Sequence, residues 1–422
     1  MSGKPHLNGS DYLMLGFDHE LRRAGFAGNS CQIVLELAGE VQVNGLRRRL
    51  EAVFGQHAIL RSRPGGMFWP AWKLRSGRAE SPEIRVHEDE SGICQRLFNE
   101  PLATKRGELM RFDLVKRPGN RMTLVFTWAH ALMDAPGAEY FLAAVGDESL
   151  PLSDSKDTRS RRAPATLRER CKLAWKYLHH LDGYCRAAPR SPGVRRQDAA
   201  VMRYRIELFS AEETARARQN GAGHCGPLGD SQFHAAVAAL ELHRLHQRLG
   251  CASPSYVLPV PVGLRPKGTA DPVFSNQVAM LMLQFLPEQL DNLTTAVATL
   301  KKQMSDMVRE GMLDSGVILS DLFRFLPLPV YMAVLKQGLR GEICSVFYGD
   351  TGPVNPLLTK FMGVEVADFA HVAAVTPTPG IGVVFYYFRG ELRVTVLHSA
   401  QVLDEREAAE FAANLRARLL NK

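Results

Sequence analysis

Apolar and polar positions along the chain alternate between a two-residue and a 3.6-residue period, which predicts a mixture of strands and helices. After turn residues at Asn8-Gly9-Ser10-Asp11-Tyr12, the ordered body begins near Leu13. Residues 31–37 read as a strand ended by Gly39. Residues 43–56 set Leu46, Leu50, Val53 and Phe54 at helical spacing, with Arg47, Arg48, Arg49 and Glu51 opposite. A strand is expected to start within 57–63. A turn at Gly65-Gly66 and a half-buried strand carrying Phe68, Trp69 and Trp72 follow. A short strand at 83–87, a short helix at 93–98 and a hairpin of 110–116 with 123–128 complete a first lobe over 1–150.

Residues 151–200 change character and read as a linker enclosing a basic amphipathic helix at 165–186. The second lobe, 201–422, opens with a strand at 202–208 and a helix at 230–248 capped by Asp230. Prolines 259, 261 and 266 force 255–266 into extended backbone. A continuous apolar strand at 278–285 follows Ser275-Asn276-Gln277. Helices are expected at 288–309 and 316–339, then an apolar run at 343–348 leading into Gly349-Asp350-Thr351-Gly352-Pro353. A hairpin of 381–388 with 391–397 and a helix capped by Asp404 close the chain. The class is mixed α/β (α+β), with no internal repeat.

One stretch concentrates the chemistry. The apolar run 123–128 predicts a buried strand that delivers His130 at its end, with Asp134 four residues on and Pro136 in the first turn of a helix. An imidazole near its ordinary pKa, about 6.5, is the most available general base at neutral pH. The chain carries no nucleophile elbow, P-loop, GxGxxG or HExxH, so His130 is expected to act on a substrate's own proton. Acyl transfer from a thioester is chemistry of that kind. On spacing alone, a core histidine followed by a helix-capping aspartate is the commoner outcome.

Composition narrows the setting. With 422 residues, 45% hydrophobic and 23% charged, the chain suits a two-lobed globular protein. Seven scattered cysteines form no CxxC pair, which fits reduced thiols and no metal site. The first residues lack the apolar core of a signal peptide, and no apolar run reaches the roughly 20 residues a bilayer span needs, so a cytoplasmic protein is expected. The net charge of +8 gathers in 151–200, where three Lys and nine Arg face five acidic residues, a net of +7. Such a segment implies an acidic partner or a solvated charged linker. No aromatic interleaving or reader motif accompanies it, which argues against nucleic acid.

His130-Ala131-Leu132-Met133-Asp134-Ala135 resembles the HHxxxDG motif of the CoA-dependent acyltransferase superfamily. That superfamily includes chloramphenicol acetyltransferase, nonribosomal peptide condensation domains, plant BAHD acyltransferases and wax ester synthases. Residues 46–61, ending His57-Ala58-Ile59-Leu60-Arg61, are similar to its early helix and "rhp-LR" segment. Val260-Pro261-Val262-Gly263-Leu264-Arg265, with Ser275-Asn276 beyond, is similar to its "PVnlR…GN" region. The resemblance implies two chloramphenicol-acetyltransferase-like lobes around a central tunnel, with His130 at its middle as general base. It implies that Asp134 turns from substrate to pair with Arg265, and that Asn276 makes a polar contact near the tunnel. It also implies no bound cofactor, and an acyl-CoA or acyl carrier protein thioester as co-substrate for an alcohol or amine acceptor.

Coenzyme A, a carrier protein and an anionic membrane surface are all negatively charged, and each would dock on the basic segment. Phe325, Leu326, Leu328 and Val330 would suit an acyl chain or plain core. Three departures stand out: Ala129 replaces the first His, Ala135 the Gly, and Tyr348-Gly349-Asp350-Thr351-Gly352-Pro353 the BAHD DFGWG motif. The last argues against the plant branch. Condensation-type amide formation on carrier-bound substrates and a catalytically silent carrier-docking scaffold are the alternatives.

Overall fold

A computed structural model describes residues 7–66, 68–75, 82–152, 166–266, 269 and 271–421. The chain opens with α1 (Gly9–Arg23), not with a turn, because Asn8 and Asp11 form a reciprocal capping box. Then come β1 (Ser30–Leu37), α2 (Val43–Gln56), β2 (Ser62–Gly65), β3 (Ala71–Leu74), β4 (Ile84–His87) and α3 (Ile93–Phe98). A 3₁₀ turn at Ala58–Arg61 occupies the place where a strand start was expected. The hairpin β5 (Met110–Arg117) and β6 (Arg121–Ala129) leads into α4 (Ala135–Gly146).

The expected basic helix is α5 (Leu167–Asp182), and β7 (Met202–Leu208) follows it. Next is α6 (Ala211–Cys225), which the apolar pattern did not predict, and α7 (Asp230–Arg248), whose N-cap is Gly229 instead of Asp230. A two-stranded hairpin pairs β8 (Tyr256–Gly263) with β9 (Val278–Phe285). The apolar stretch beyond it divides at its glycine and prolines into α8 (Leu293–Arg309), α9 (Met312–Phe323) and α10 (Leu328–Gln337). The chain closes with β10 (Phe347–Pro353), β11 (Lys360–Phe361), β12 (Val364–Ala373), β13 (Ile381–Phe388), β14 (Glu391–Ser399) and α11 (Glu405–Leu420).

Two sheets define the two lobes. The first has the order β11-β12-β1-β6-β5-β4, the second β10-β13-β14-β7. On one face of the first sheet Ile33, Leu35, Phe112, Leu124, Phe126 and Trp128 pack in the same core as Leu46 and Leu50 of α2 and Phe141 of α4. On the other face Val34, Val115, Val125 and Ala370 meet Ile93 and Leu97 of α3. The second sheet buries Val383, Phe385 and Val394 against α7 and α11.

The lobes exchange elements. β12, from the last quarter of the chain, pairs antiparallel with β1 from Cys31↔Ala373 to Leu37↔Val366. In the other direction α1 lies on α9 and α10: Gly9 N–H donates to Asp321 (2.8 Å), Tyr12 Oη donates to the Leu326 carbonyl (2.7 Å), and Lys336 pairs with Glu20. Gly9 is required there, since a Cβ would run into the Ser320 backbone. A buried His371–Glu139 contact of 2.7 Å joins β12 to α4.

The cations of 151–200 have divergent roles. Lys156, Arg159, Arg161 and Arg162 lie outside the described residues. Arg195 bonds Glu407 at 3.0 Å and Arg196 bonds Asp404 at 2.5 Å, so both fasten the terminal helix. Arg168 and Lys172 remain exposed on α5. Among the described residues no helix is long and apolar enough to cross a membrane, and no group of His, Cys, Asp and Glu is placed to hold a metal.

Two histidines give the fold a pH signature. His246 in α7 and His398 in β14 are buried, and their ring nitrogens make no hydrogen bond of regular geometry among the described residues. Burial lowers both pKa values from 6.5 to about 4. The unfolded chain therefore binds more protons between those limits, so stability is full above pH 6.5 and falls as pH drops toward 4. Each histidine contributes up to about 3 kcal/mol to that fall. Urea unfolding followed across pH 7 to 4 should show the decline, and His246→Leu should flatten part of it; an unchanged slope would remove His246 from the account.

Candidate functional site

β6 is buried along nearly its whole length, and its end carries the segment 129–134 to the junction of the lobes. Every turn of that segment is tied down. His130 N–H donates to the Asn29 carbonyl (3.0 Å) and Leu132 N–H to that of Ala129 (2.9 Å). Trp128 Nε1 donates to the Met133 carbonyl (2.9 Å), so the buried indole serves as both core and strut. Asn276 Nδ2 reaches the His130 carbonyl (2.9 Å) from the second lobe.

His130 itself is half-buried. Its Nδ1 is buried with no hydrogen bond in regular geometry among the described residues. Burial lowers the pKa of the ring, against the smaller opposing effects of the His130 and Met133 carbonyls, the Asp134 charge and the Asn276 side chain. The imidazole is neutral at pH 7 and able to accept a proton. A very small cavity lies under the neighbouring residues Ala129 and Ala131, closed by Met14, Asn29, Pro64, Trp72 and Leu109, and His130 is not part of its lining.

Asp134 carries two structural roles. Its Oδ1 accepts from Gly137 N–H (3.1 Å), capping α4, with Pro136 in the first turn. Its Oδ2 accepts from Arg265 Nη1 (2.5 Å) and from Gln277 N–H (2.9 Å). Arg265, just past β8, also donates to the carbonyls of Pro272 (2.9 Å) and Ser275 (3.1 Å). Both charged side chains are nearly excluded from solvent. The helix-cap reading and the ion-pair reading of Asp134 therefore hold together in one carboxylate.

Asn276 is deeply placed, and its Nδ2 hydrogens go to the His130 carbonyl and to Asp11 Oδ1 (3.0 Å), so its amide nitrogen braces the loop. Its own N–H also meets Asp11 (2.8 Å). Asn8 completes the junction by donating to Ser275 Oγ (2.6 Å). Sequence reasoning missed Asn8, Asp11, Asn29 and Gln277. The Asn8-x-x-Asp11 capping box was the legible signal for two of them.

Ala135 is the first helical residue of α4 and needs no left-handed backbone, so the absent glycine leaves no strain. Glycine is required at 137 instead, where an added Cβ would lie 2.5 Å from the Val273 carbonyl and 3.3 Å from Arg265 Nη2. Gly137→Ala should destabilise the protein by about 1–3 kcal/mol; a thermal midpoint equal to that of the parent would contradict this packing. Phe325, Leu326 and Leu328 are half-buried and Val330 is exposed.

No family model and no curated protein sequence matches the chain. Solved structures do. The first condensation domain of the calcium-dependent antibiotic synthetase, in complex with a substrate analogue, aligns over 100% of this chain and 98% of its own, at 18% identity and a TM-score of 0.72. The trichothecene 15-O-acetyltransferase of Fusarium sporotrichioides aligns over 99% and 95%, at 13% identity and a TM-score of 0.68. The starter condensation domain of rhizomide synthetase aligns over 100% and 97%, at 14% identity and a TM-score of 0.61. With its two lobes and its exchanged strand and helix, the chain shares the fold of these condensation domains and of this acetyltransferase.

Proposed function

We infer that the protein is an acyltransferase that moves an acyl group from a thioester to an alcohol or amine, with His130 as general base. The observation that carries this reading is the half-buried imidazole at the junction of the lobes, its pKa lowered by burial and its loop fastened from both sides through the His130 N–H and carbonyl. In the reaction Nε2 takes the proton of the acceptor O–H or N–H as its heteroatom attacks the thioester carbonyl. The tetrahedral intermediate then expels the thiolate, which recovers the proton from the imidazolium. No covalent intermediate on the protein and no bound cofactor are needed. Asp134 and Arg265 act as positioning residues, keeping loop and lobes in register.

The donor is coenzyme A or a carrier protein. Condensation-type amide formation on carrier-bound substrates is the second reading, favoured by the full-length likeness to condensation domains. The test is thiol release from short, medium and long acyl-CoAs and from the same acyl groups on a carrier protein, for the parent and His130→Ala. Release that depends on chain length and disappears in the variant supports the enzyme and identifies its donor. Silence with every donor of both kinds would sink catalysis and leave a carrier-docking scaffold.

A further inference from the structure

The hairpin of β2 and β3 is buried at its base and exposed at its tip. Its base supplies Pro64 and Trp72 to the cavity beside Ala129 and Ala131. Its tip carries Phe68 and Trp69, whose exposures of 56% and 77% are unusual for such large apolar side chains, and Leu74 is 61% exposed. Trp69 meets Phe325, between α9 and α10, edge-on at a centroid distance of 5.1 Å, so the tip reaches across to the second lobe. The Arg324 guanidinium lies 4.9 Å from the Phe325 ring, and the exposed Val330 follows.

The charge of this hairpin is one-sided. Residues 61–75 contain Arg61, Arg63, Lys73 and Arg75 and no acidic residue. Arg63, Lys73 and Arg75 are exposed, and none meets a carboxylate among the described residues. Arg63 donates to the Lys105 carbonyl (3.4 Å), which brings the exposed Lys105 and Arg106 alongside. Exposed aromatics ringed by uncompensated cations match the interfacial zone of a bilayer, where amphipathic rings sit at headgroup level and cations face anionic lipid. An acidic protein partner would use the cations, but it leaves the exposure of Phe68, Trp69 and Leu74 without a purpose.

We propose that this hairpin tip, together with Phe325, docks the protein on an anionic phospholipid surface. The docking is independent of the acyl-transfer reading, since it rests on the surface alone. The test is sedimentation of the full chain with phosphatidylcholine vesicles, with or without phosphatidylglycerol. Binding should require the anionic lipid and weaken with salt.

Phe68→Ser/Trp69→Ser should lose at least tenfold in binding, and Arg63→Gln/Lys73→Gln roughly fivefold for each cation removed. Both pairs are exposed, so circular dichroism and thermal midpoints should match the parent. Failure of the parent to bind anionic vesicles would overturn the proposal. So would undiminished binding by the aromatic variant, or binding to an acidic carrier protein in place of vesicles.

Discussion

His130→Ala should lower the rate of thioester-dependent acyl transfer by roughly 10²–10⁴-fold, the range lost when a positioned general base is removed. The fold should survive. The loop is fastened through the backbone of His130, its N–H to Asn29 and its carbonyl to Asn276, and those bonds do not need the ring. Because burial lowers the pKa of the imidazole, its basic form persists to the acid side of 6.5. The rate should therefore hold through neutral pH and fall only below that value. Single-turnover thiol release in parent and variant is the measurement. A variant retaining more than about a tenth of the rate would remove His130 from the proton transfer, since that loss lies well short of the general-base range.

Arg265→Met should be the most destabilising single change near the site, by about 3–5 kcal/mol, because it leaves Asp134 charged and buried without its countercharge. That is a large part of the 5–15 kcal/mol typical of a folded protein. Asp134→Asn strands the guanidinium instead, although the Pro272 and Ser275 carbonyls still accept from it, so its effect should be smaller. The double variant removes both charges and should recover much of the loss, a coupling that urea unfolding of all four proteins would measure. If the single losses simply add, the pair is not the link between the lobes that its 2.5 Å contact indicates.

Much of the architecture was legible from apolar pattern, either as a one-sided period, as in α2 and α11, or as short apolar runs joined by turn residues, as in the two hairpins that are buried on both faces. β7 and β9 were also found where apolar runs placed them. The reading failed where tertiary packing replaced that pattern. β12 lies between β1 and the second lobe, so Phe369, Ala370, His371 and Val372 are all buried and the alternation disappears. His371 is buried there and is met by Glu139 of α4, a partnership with no local signature. α6 is sparse in apolar residues and carries Gly221 and Gly223, yet its Ser210–Glu213 capping box marks its start.

At the site, the strand, the histidine and the Asp134 cap could be read from local pattern. The partnership of Asp11 with Asn276, 265 residues apart, has no local signature and emerges only when α1 is laid on the second lobe.

The place of β12 also bears on how the chain can be made. In the finished sheet β1 is an interior strand, with β6 on one side and β12 on the other. During synthesis β6 emerges soon after β1, but β12 ends at residue 373. At about 5–20 residues per second, β1 waits tens of seconds with an unpaired apolar edge. Such an edge is a template for pairing with a neighbouring nascent chain. Translation, not mature stability, is therefore the most aggregation-prone stage for this protein, and slowing the ribosome between β6 and β12 prolongs it. The first 150 residues made alone would keep that edge permanently, and the two lobes are accordingly one unit of biosynthesis.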